Sequence, residues 1–314
     1  MLALKLAIQM LLTMSLGFIA RKAKLATDDT SQSLSAILLN IGIPCIILDS
    51  LNVEFDAEQF RSGMVMLIIS VAVLLLLFIV GLIYRKLQRD PVLGATGHFG
   101  IMFTNYTYVG VPVMQSLYGA EGLFLYTMFT LPLRIAFYST PPFILSSGKH
   151  EKRGAKYYLK AFYSPPLVAL YVGMIIYLCK IPVPDTIGNV LSNVTTCSSV
   201  LGMMLCGMLI ADTNAREVIH RPNLLIVPIL CNLVTPMLVL LVGSLIPIDP
   251  LPIKVGVAYT ALPMAAMLPV WVLRYNQGNI ELGETCSLYV MISTVLAIGT
   301  LPLMSYLSDL ILGF

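Results

Sequence analysis

Apolar residues run along this chain in blocks about as long as a bilayer is thick, separated by short polar stretches. Crossing the hydrocarbon as a helix takes about 20 predominantly apolar residues. Ten blocks fit that pattern: 2–20, 33–51, 62–84, 98–118, 122–146, 164–180, 186–211, 222–247, 252–273 and 285–312. The third, with VAVLLLLFIV at its heart, is the most uniform, and the fourth and ninth are the least. The pattern predicts an all-α integral membrane protein with ten transmembrane helices.

Composition agrees. The chain has 314 residues, 58% hydrophobic and 11% charged, with a mean hydropathy of +0.87. A soluble domain carries about 25% charged residues, so this chain has too few charges to cover a water-facing surface. The first block has no basic region ahead of a cleavage site; its charges (Arg21, Lys22, Lys24) follow it, as in a retained helix. None of the six cysteines forms a CxxC pair, and all lie in or beside apolar runs, which makes them packing residues.

The net charge of +3 gains meaning once it is mapped onto the loops. Of the 19 basic residues, 14 follow odd-numbered blocks, ending with Arg274 after the ninth. Lys5, Arg61, Lys180 and Lys254 lie on the other side, and Arg134 falls inside a block. Cytoplasmic loops collect Lys and Arg, so both termini are expected outside a plasma (inner) membrane. The basic linker 147–163 divides the chain into two five-helix sets, 1–146 and 164–314. Because five is odd, a second half related to the first enters the membrane inverted.

Inverted repeats leave traces in matching spans. PVMQSLY (Pro112 to Tyr118) and PVWVLRY (Pro269 to Tyr275) both read P-V-x-x-x-x-Y, 157 residues apart. A weaker echo joins IILDS, ending at Ser50, to LIADT, ending at Thr213. The fourth block also holds TNYTYVGVP (104–112), and the ninth holds TALPMAAMLP with Pro263. Proline removes a backbone donor and clashes with the preceding turn. Lipid cannot satisfy the carbonyls so freed. Helices four and nine are therefore expected to be broken and to cross near the midplane. The expected site takes Asn105, Thr107, Tyr108, Gly110 and Pro112 from one, and Pro263, Met264 and Pro269 from the other. Tyr106 and the NVTTCSS run (Asn193 to Ser199) are further candidates for a polar pathway.

Arg134 is the midpoint of the fifth block, 12 residues from either end, or about 18 Å at 1.5 Å per residue. No acidic residue is expected at that depth. Such an arginine either binds carbonyls freed by Pro132 or by the crossing, or supplies charge to an anionic ligand whose carboxylate matches its planar fork. His98 is expected at the surface, and Arg274, Trp271 and several tyrosines at the membrane interfaces.

The N-x-x-x-x-G-x-P core from Asn105 to Pro112 and the LYG at 117–119 resemble the auxin efflux carrier family, which includes bacterial malate and malonate permeases and plant PIN proteins. The ALP at 261–263, the RY at 274–275 and the TLPL at 300–303 are similar to its second crossover and last helix. The resemblance covers nearly the whole chain. It implies a sodium/proton antiporter-like fold, with a scaffold of spans 1, 2, 6 and 7 and a transport domain of spans 3–5 and 8–10. It also implies a homodimer, elevator-type alternating access, and carboxylate binding near Asn105 and Pro112. At the repeat offset, Leu262 stands where Asn105 would recur, so the second half of the site lacks its counterpart.

The expected function is secondary transport of a small organic anion, a carboxylate of auxin-like or malate-like kind. The alternatives are a sodium-coupled symporter of larger amphipathic anions and a membrane sensor on a transporter fold. No GxSxG, HExxH, phosphate-loop or dinucleotide pattern points to an enzyme or a cofactor. The three histidines are too far apart to suggest a metal site, and the short basic loops do not suggest nucleic acid. The partners expected are the anion, membrane lipid and a second copy of the chain.

Overall fold

The structure, a computed structural model, describes residues 2–52, 56–145, 163, 165–211, 221–276 and 279–313. Among these the protein is helical throughout, apart from one isolated β-bridge. The linker 147–163, except Tyr163, lies outside the described residues, as do Asp212, Thr213 and Arg216.

Helix α1 spans Leu2–Lys22. Thr27 and Thr30 form a capping box that starts α2 (Asp28–Ile37), and a π turn (Leu38–Gly42) joins it to α3 (Ile43–Leu51). The Asp56 carboxylate caps the 31-residue α4 (Ala57–Leu87), accepting from the Glu58 N–H at 2.9 Å. Asp90 caps α5 (Pro91–Met102) in the same way, accepting from Val92 at 2.8 Å. Then follow α6 (Gly110–Ser139), the short α7 (Pro141–Ile144), α8 (Pro165–Leu178) and α9 (Asp185–Ala211). A 3₁₀ turn (Pro222–Leu225), α10 (Ile226–Ile229), a second π turn (Leu230–Val234) and α11 (Thr235–Ser244) form one bent segment. The chain ends with α12 (Pro250–Ala261), α13 (Leu268–Tyr275) and α14 (Ile280–Leu312).

Four stretches are long and apolar enough to cross a membrane by length and composition: Asp29–Leu51, Phe60–Leu87, Pro222–Ser244 and Glu281–Leu312. These answer to the expected second, third, eighth and tenth spans. The fourth and ninth are each built from two shorter helices. The expected loop between spans four and five shrinks to one residue, because α6 runs through both and bends at Gly119 (φ 64°, ψ −156°). That combination is essentially reserved for glycine.

The outer surface is apolar: Ile68 is 72% exposed on α4, and Leu75, Ile79 and Ile83 join it on the same helix. Such a face suits lipid, where water would drive association. Inside, α1 lies along α9 with no side-chain layer between them at two points. A Cβ on Gly17 would stand 1.9 Å from the Met204 carbonyl oxygen, and one on Gly207 1.8 Å from that of Met14. Helix α8 packs on α3, α4 on α5 and α6, α11 on α12, and α14 on both α12 and α13.

Two expectations need correction. Lys254, assigned to an outer loop, is buried on α12 and pairs with Asp309 of α14 at 2.8 Å. His98, assigned to the surface, is 1% exposed. Helix α5 begins seven residues before its expected block and α12 two residues before, and neighbouring helices cover the residue at the edge of each.

Candidate functional site

Helix α5 stops at Met102 and α6 starts at Gly110; α12 stops at Ala261 and α13 starts at Leu268. The two gaps meet. Thr104 faces Met264 in an antiparallel bridge, with Asn105 N–H donating to the Pro263 carbonyl at 2.6 Å and Ala265 N–H to that of Phe103 at 3.1 Å. Buried backbone groups need partners, and here each broken segment supplies them to the other. Pro263 lies in the extended link, so its ring interrupts no helix.

In the first gap Asn105 organises the chain. Its carbonyl accepts from Val109 at 3.3 Å and Gly110 at 3.1 Å, and its side-chain Oδ1 accepts from Tyr108 N–H at 3.3 Å. The Tyr126 hydroxyl donates to the Tyr106 carbonyl at 2.7 Å. In the second gap no asparagine recurs in the chain itself, and neighbouring helices supply the polar groups. Asn232 Nδ2 donates to the carbonyls of Ala261 (3.2 Å) and Leu262 (3.1 Å). The Ser293 hydroxyl donates to Asn232 Oδ1 and accepts from Met264 N–H at 2.8 Å. Asn232 and Ser293 are both fully buried, and Asn232 sits in the second π turn, a feature common at functional sites. Neither residue was picked out from the sequence. Asn232 is a single amide in an apolar run and Ser293 sits beside Thr294 in another, and their partners lie 29 to 61 positions away.

Arg134 is 3% exposed. Its Nε donates to the Thr130 hydroxyl at 3.3 Å, and its guanidinium carbon lies 5.3 Å from the centre of the Tyr106 ring. Among the described residues no carboxylate pairs with it, and it binds no carbonyl freed by Pro132 or by the crossing. The aromatic row continues from Tyr106 to Phe137 (6.0 Å), to Trp271 (6.0 Å) and to Tyr275 (6.0 Å), and Arg274 lies 5.8 Å over Trp271. Trp271 is half-buried in this row. The hydroxyls of Thr104 and Tyr259 lie beside each other at the crossing, and that of Ser70 on α4 is buried without a hydrogen-bond partner.

Asn105, Tyr108, Gly110, Pro263 and Met264 are all buried, and Thr107, Pro112 and Pro269 are half-buried. Tyr108 packs against Gly202 of α9. Of the NVTTCSS run, Thr195, Ser198 and Ser199 face inward, while Asn193, Thr196 and Cys197 face outward, so only part of it can line a path.

Crossed, broken helices inside an apolar helical body are matched by a likeness along almost the whole chain. Residues 2–305 fit the family model described as membrane transport protein. The chain belongs to this membrane transport family, in which the auxin efflux carriers fall. A protein of Methanothermobacter thermautotrophicus, described as an uncharacterized transporter, is 23% identical over 301 residues, covering 95% of this chain and 96% of that relative. This family member is accordingly a multi-pass membrane protein of the transport class.

Proposed function

We propose that the protein is a secondary transporter of a small organic anion, a carboxylate of auxin-like or malate-like kind, working by an elevator-type alternation of access. The observation that carries this reading is Arg134, a buried guanidinium beside the crossing with no carboxylate partner among the described residues. A charge at that depth costs at least about 2.5–3.5 kcal/mol on insertion scales, and an anionic ligand would offset it.

The packing supports an inverted repeat of five spans. Contact of α1 with α9 is mirrored by that of α8 with α3, and contact of α4 with α5 by that of α11 with α12. Thr104 and Met264, 160 residues apart, meet where the axis of such a repeat would pass. At that offset Ser293 corresponds to position 133, next to Arg134. The second half fills its gap with Asn232 and Ser293. The first half holds the buried Arg134 cation beside the counterpart of Ser293. A carboxylate there would complete the first half as the asparagine–serine pair completes the second.

In this reading Asn105, Thr107, Tyr108, Gly110 and Pro112 line the anion site with Arg134, and Pro263, Met264 and Pro269 close it from the other side. Ten spans, a scaffold of spans 1, 2, 6 and 7, a moving domain of spans 3–5 and 8–10, termini outside the plasma membrane and a homodimer belong to the same proposal. The test is tracer uptake of malate and of an indole carboxylate into proteoliposomes in sodium-free buffer, for wild type and R134A. Uptake lost in a folded R134A supports the reading. Uptake unchanged by R134A, or no uptake of any carboxylate by wild type, overturns it.

A further inference from the structure

His98 is a buried ionisable side chain that the anion site leaves unused. It is 1% exposed, and neither ring nitrogen has a hydrogen-bond partner. The Phe78 carbonyl lies nearby without forming a bond of acceptable geometry. The imidazole is wedged between α5 and α4. Its Cδ2 would stand 2.2 Å from a Cβ on Gly81, so a side chain there is excluded, and the Phe78 ring covers it at 5.0 Å.

An unbonded imidazole N–H in an apolar seam carries a desolvation cost that a leucine would avoid. Buried polar groups are seldom left unsatisfied without a role that needs them so. Ionisable residues within membrane spans mark proton relays and substrate paths often enough to make function the first hypothesis.

The surroundings decide which function. Helix α5 packs against α4, α7, α10, the π turn at 230–234 and α13. From α4 the charged group acting on His98 is Arg85, and Tyr84 abuts the adjacent Gly97. Helices α7 and α10 carry no titratable residue, the π turn carries only Cys231, and α13 carries Arg274 and Tyr275. None of these elements directs a carboxylate at the imidazole. The packed seam leaves both ring nitrogens without a partner, and a seam opened to water would supply one. About one turn further along, the same helix ends at Met102 and leads into Phe103, Thr104 and Asn105 at the crossing.

We propose that His98 is a proton-binding site through which movement of the crossing is coupled to the pH gradient. One proton binds the neutral imidazole where the α4–α5 seam meets water and leaves when the seam closes over Gly81. With one proton carried per monocarboxylate, no net charge moves.

The transport half of the test rests on the anion-carrier reading, and a titration half does not. Proteoliposomes containing pyranine are given an inward proton gradient and labelled malate or indole carboxylate, with wild type and H98Q. Wild type should acidify the lumen as it takes up carboxylate, while H98Q should take it up at a rate indifferent to the gradient and without acidification. Uptake by wild type with no acidification, or gradient-driven acidification retained in H98Q, overturns the proposal and leaves the anion carrier standing. If no carboxylate moves, or H98Q does not fold, ¹⁵N-histidine spectra of a H150Q/H220Q protein in nanodiscs decide. A His98 imidazole that titrates reversibly between pH 4 and 8 and changes amide exchange at 103–109 supports the site. One that stays neutral throughout, or titrates without touching that segment, overturns it.

Discussion

Asn105 and Pro263 hold the crossing together: the amide of one donates to the carbonyl of the other across 2.6 Å. Proline cannot donate, but its carbonyl is a full acceptor, so the residue that stops α12 also anchors the other chain segment. The tie joins residues 158 positions apart, and it leaves the Asn105 side chain to brace Tyr108.

The asparagine–serine pair behind the second gap should be worth more than its size suggests. Asn232→Leu keeps the volume but strips two carbonyls and the Ser293 hydroxyl of their partner. Each buried group left unsatisfied costs about 1–3 kcal/mol, so thermal unfolding in nanodiscs should begin several degrees lower. Ser293→Ala should cost less, since it strands one amide and one acceptor. A N232L protein as stable as wild type would show that water replaces the amide.

Removing the Arg134 charge should separate stability from binding. Replacing a buried charge by a well-packed hydrophobic side chain is often neutral or stabilising, so Arg134→Leu in the absence of ligand should unfold within about 1 kcal/mol of wild type: a cation–π contact of about that size is lost, and Thr130 loses one donor but keeps its bond to the Thr127 carbonyl. The carboxylate-induced rise in its unfolding temperature should vanish. Arg134→Lys keeps the charge without the planar fork and should bind at least about tenfold more weakly, a difference of about 1.4 kcal/mol, read by titrating the thermal shift.

The bend between the two limbs of α6 rests on one residue. Gly119→Ala puts a Cβ on a backbone at φ 64°, ψ −156°, where strain is about 1–3 kcal/mol. Nothing lies within 4 Å of the added atom, so the loss should come from backbone strain alone. Gly119→Ala and Gly119→Ser should therefore be destabilised alike. A graded loss with side-chain size would point to crowding instead.

The ion pair between Lys254 and Asp309 is lopsided, with side chains 9% and 34% exposed. Deleting the carboxylate leaves the deeper charge without it, while deleting the amine leaves the shallower one. Breaking a buried pair costs about 3–5 kcal/mol, and solvent reduces that on the Asp309 side. Asp309→Asn should therefore lower the unfolding temperature more than Lys254→Met. The double variant should recover part of the loss, as a thermal-shift cycle would reveal.

Both breaks in the helices were legible because proline, glycine and asparagine together in an apolar run weaken a helix where lipid offers its backbone nothing in return. Their pairing was half legible. The repeat P-V-x-x-x-x-Y marked the right segments, but its offset set Asn105 opposite Leu262, whereas the bridge aligns Thr104 with Met264. What escaped was everything that depends on neighbours distant in sequence. Asn232 and Ser293 carry no spacing signal, and only folding brings them to Met264. His98 and Lys254 were misplaced for a related reason: a charge at the edge of an apolar block looks solvated until the adjoining helices cover it.

The contact of α1 with α9 has a mechanical consequence. Where Gly17 and Gly207 let backbone touch backbone, one carbonyl of each helix, from Met14 and Met204, sits in a notch of the other, like teeth in a rack. To shift one helix along the other, the teeth must first be lifted apart, and no flexible side chain is there to yield. That seam is a fixed rail. Any stroke the molecule makes has to run along its other seams, where side chains can slide past one another.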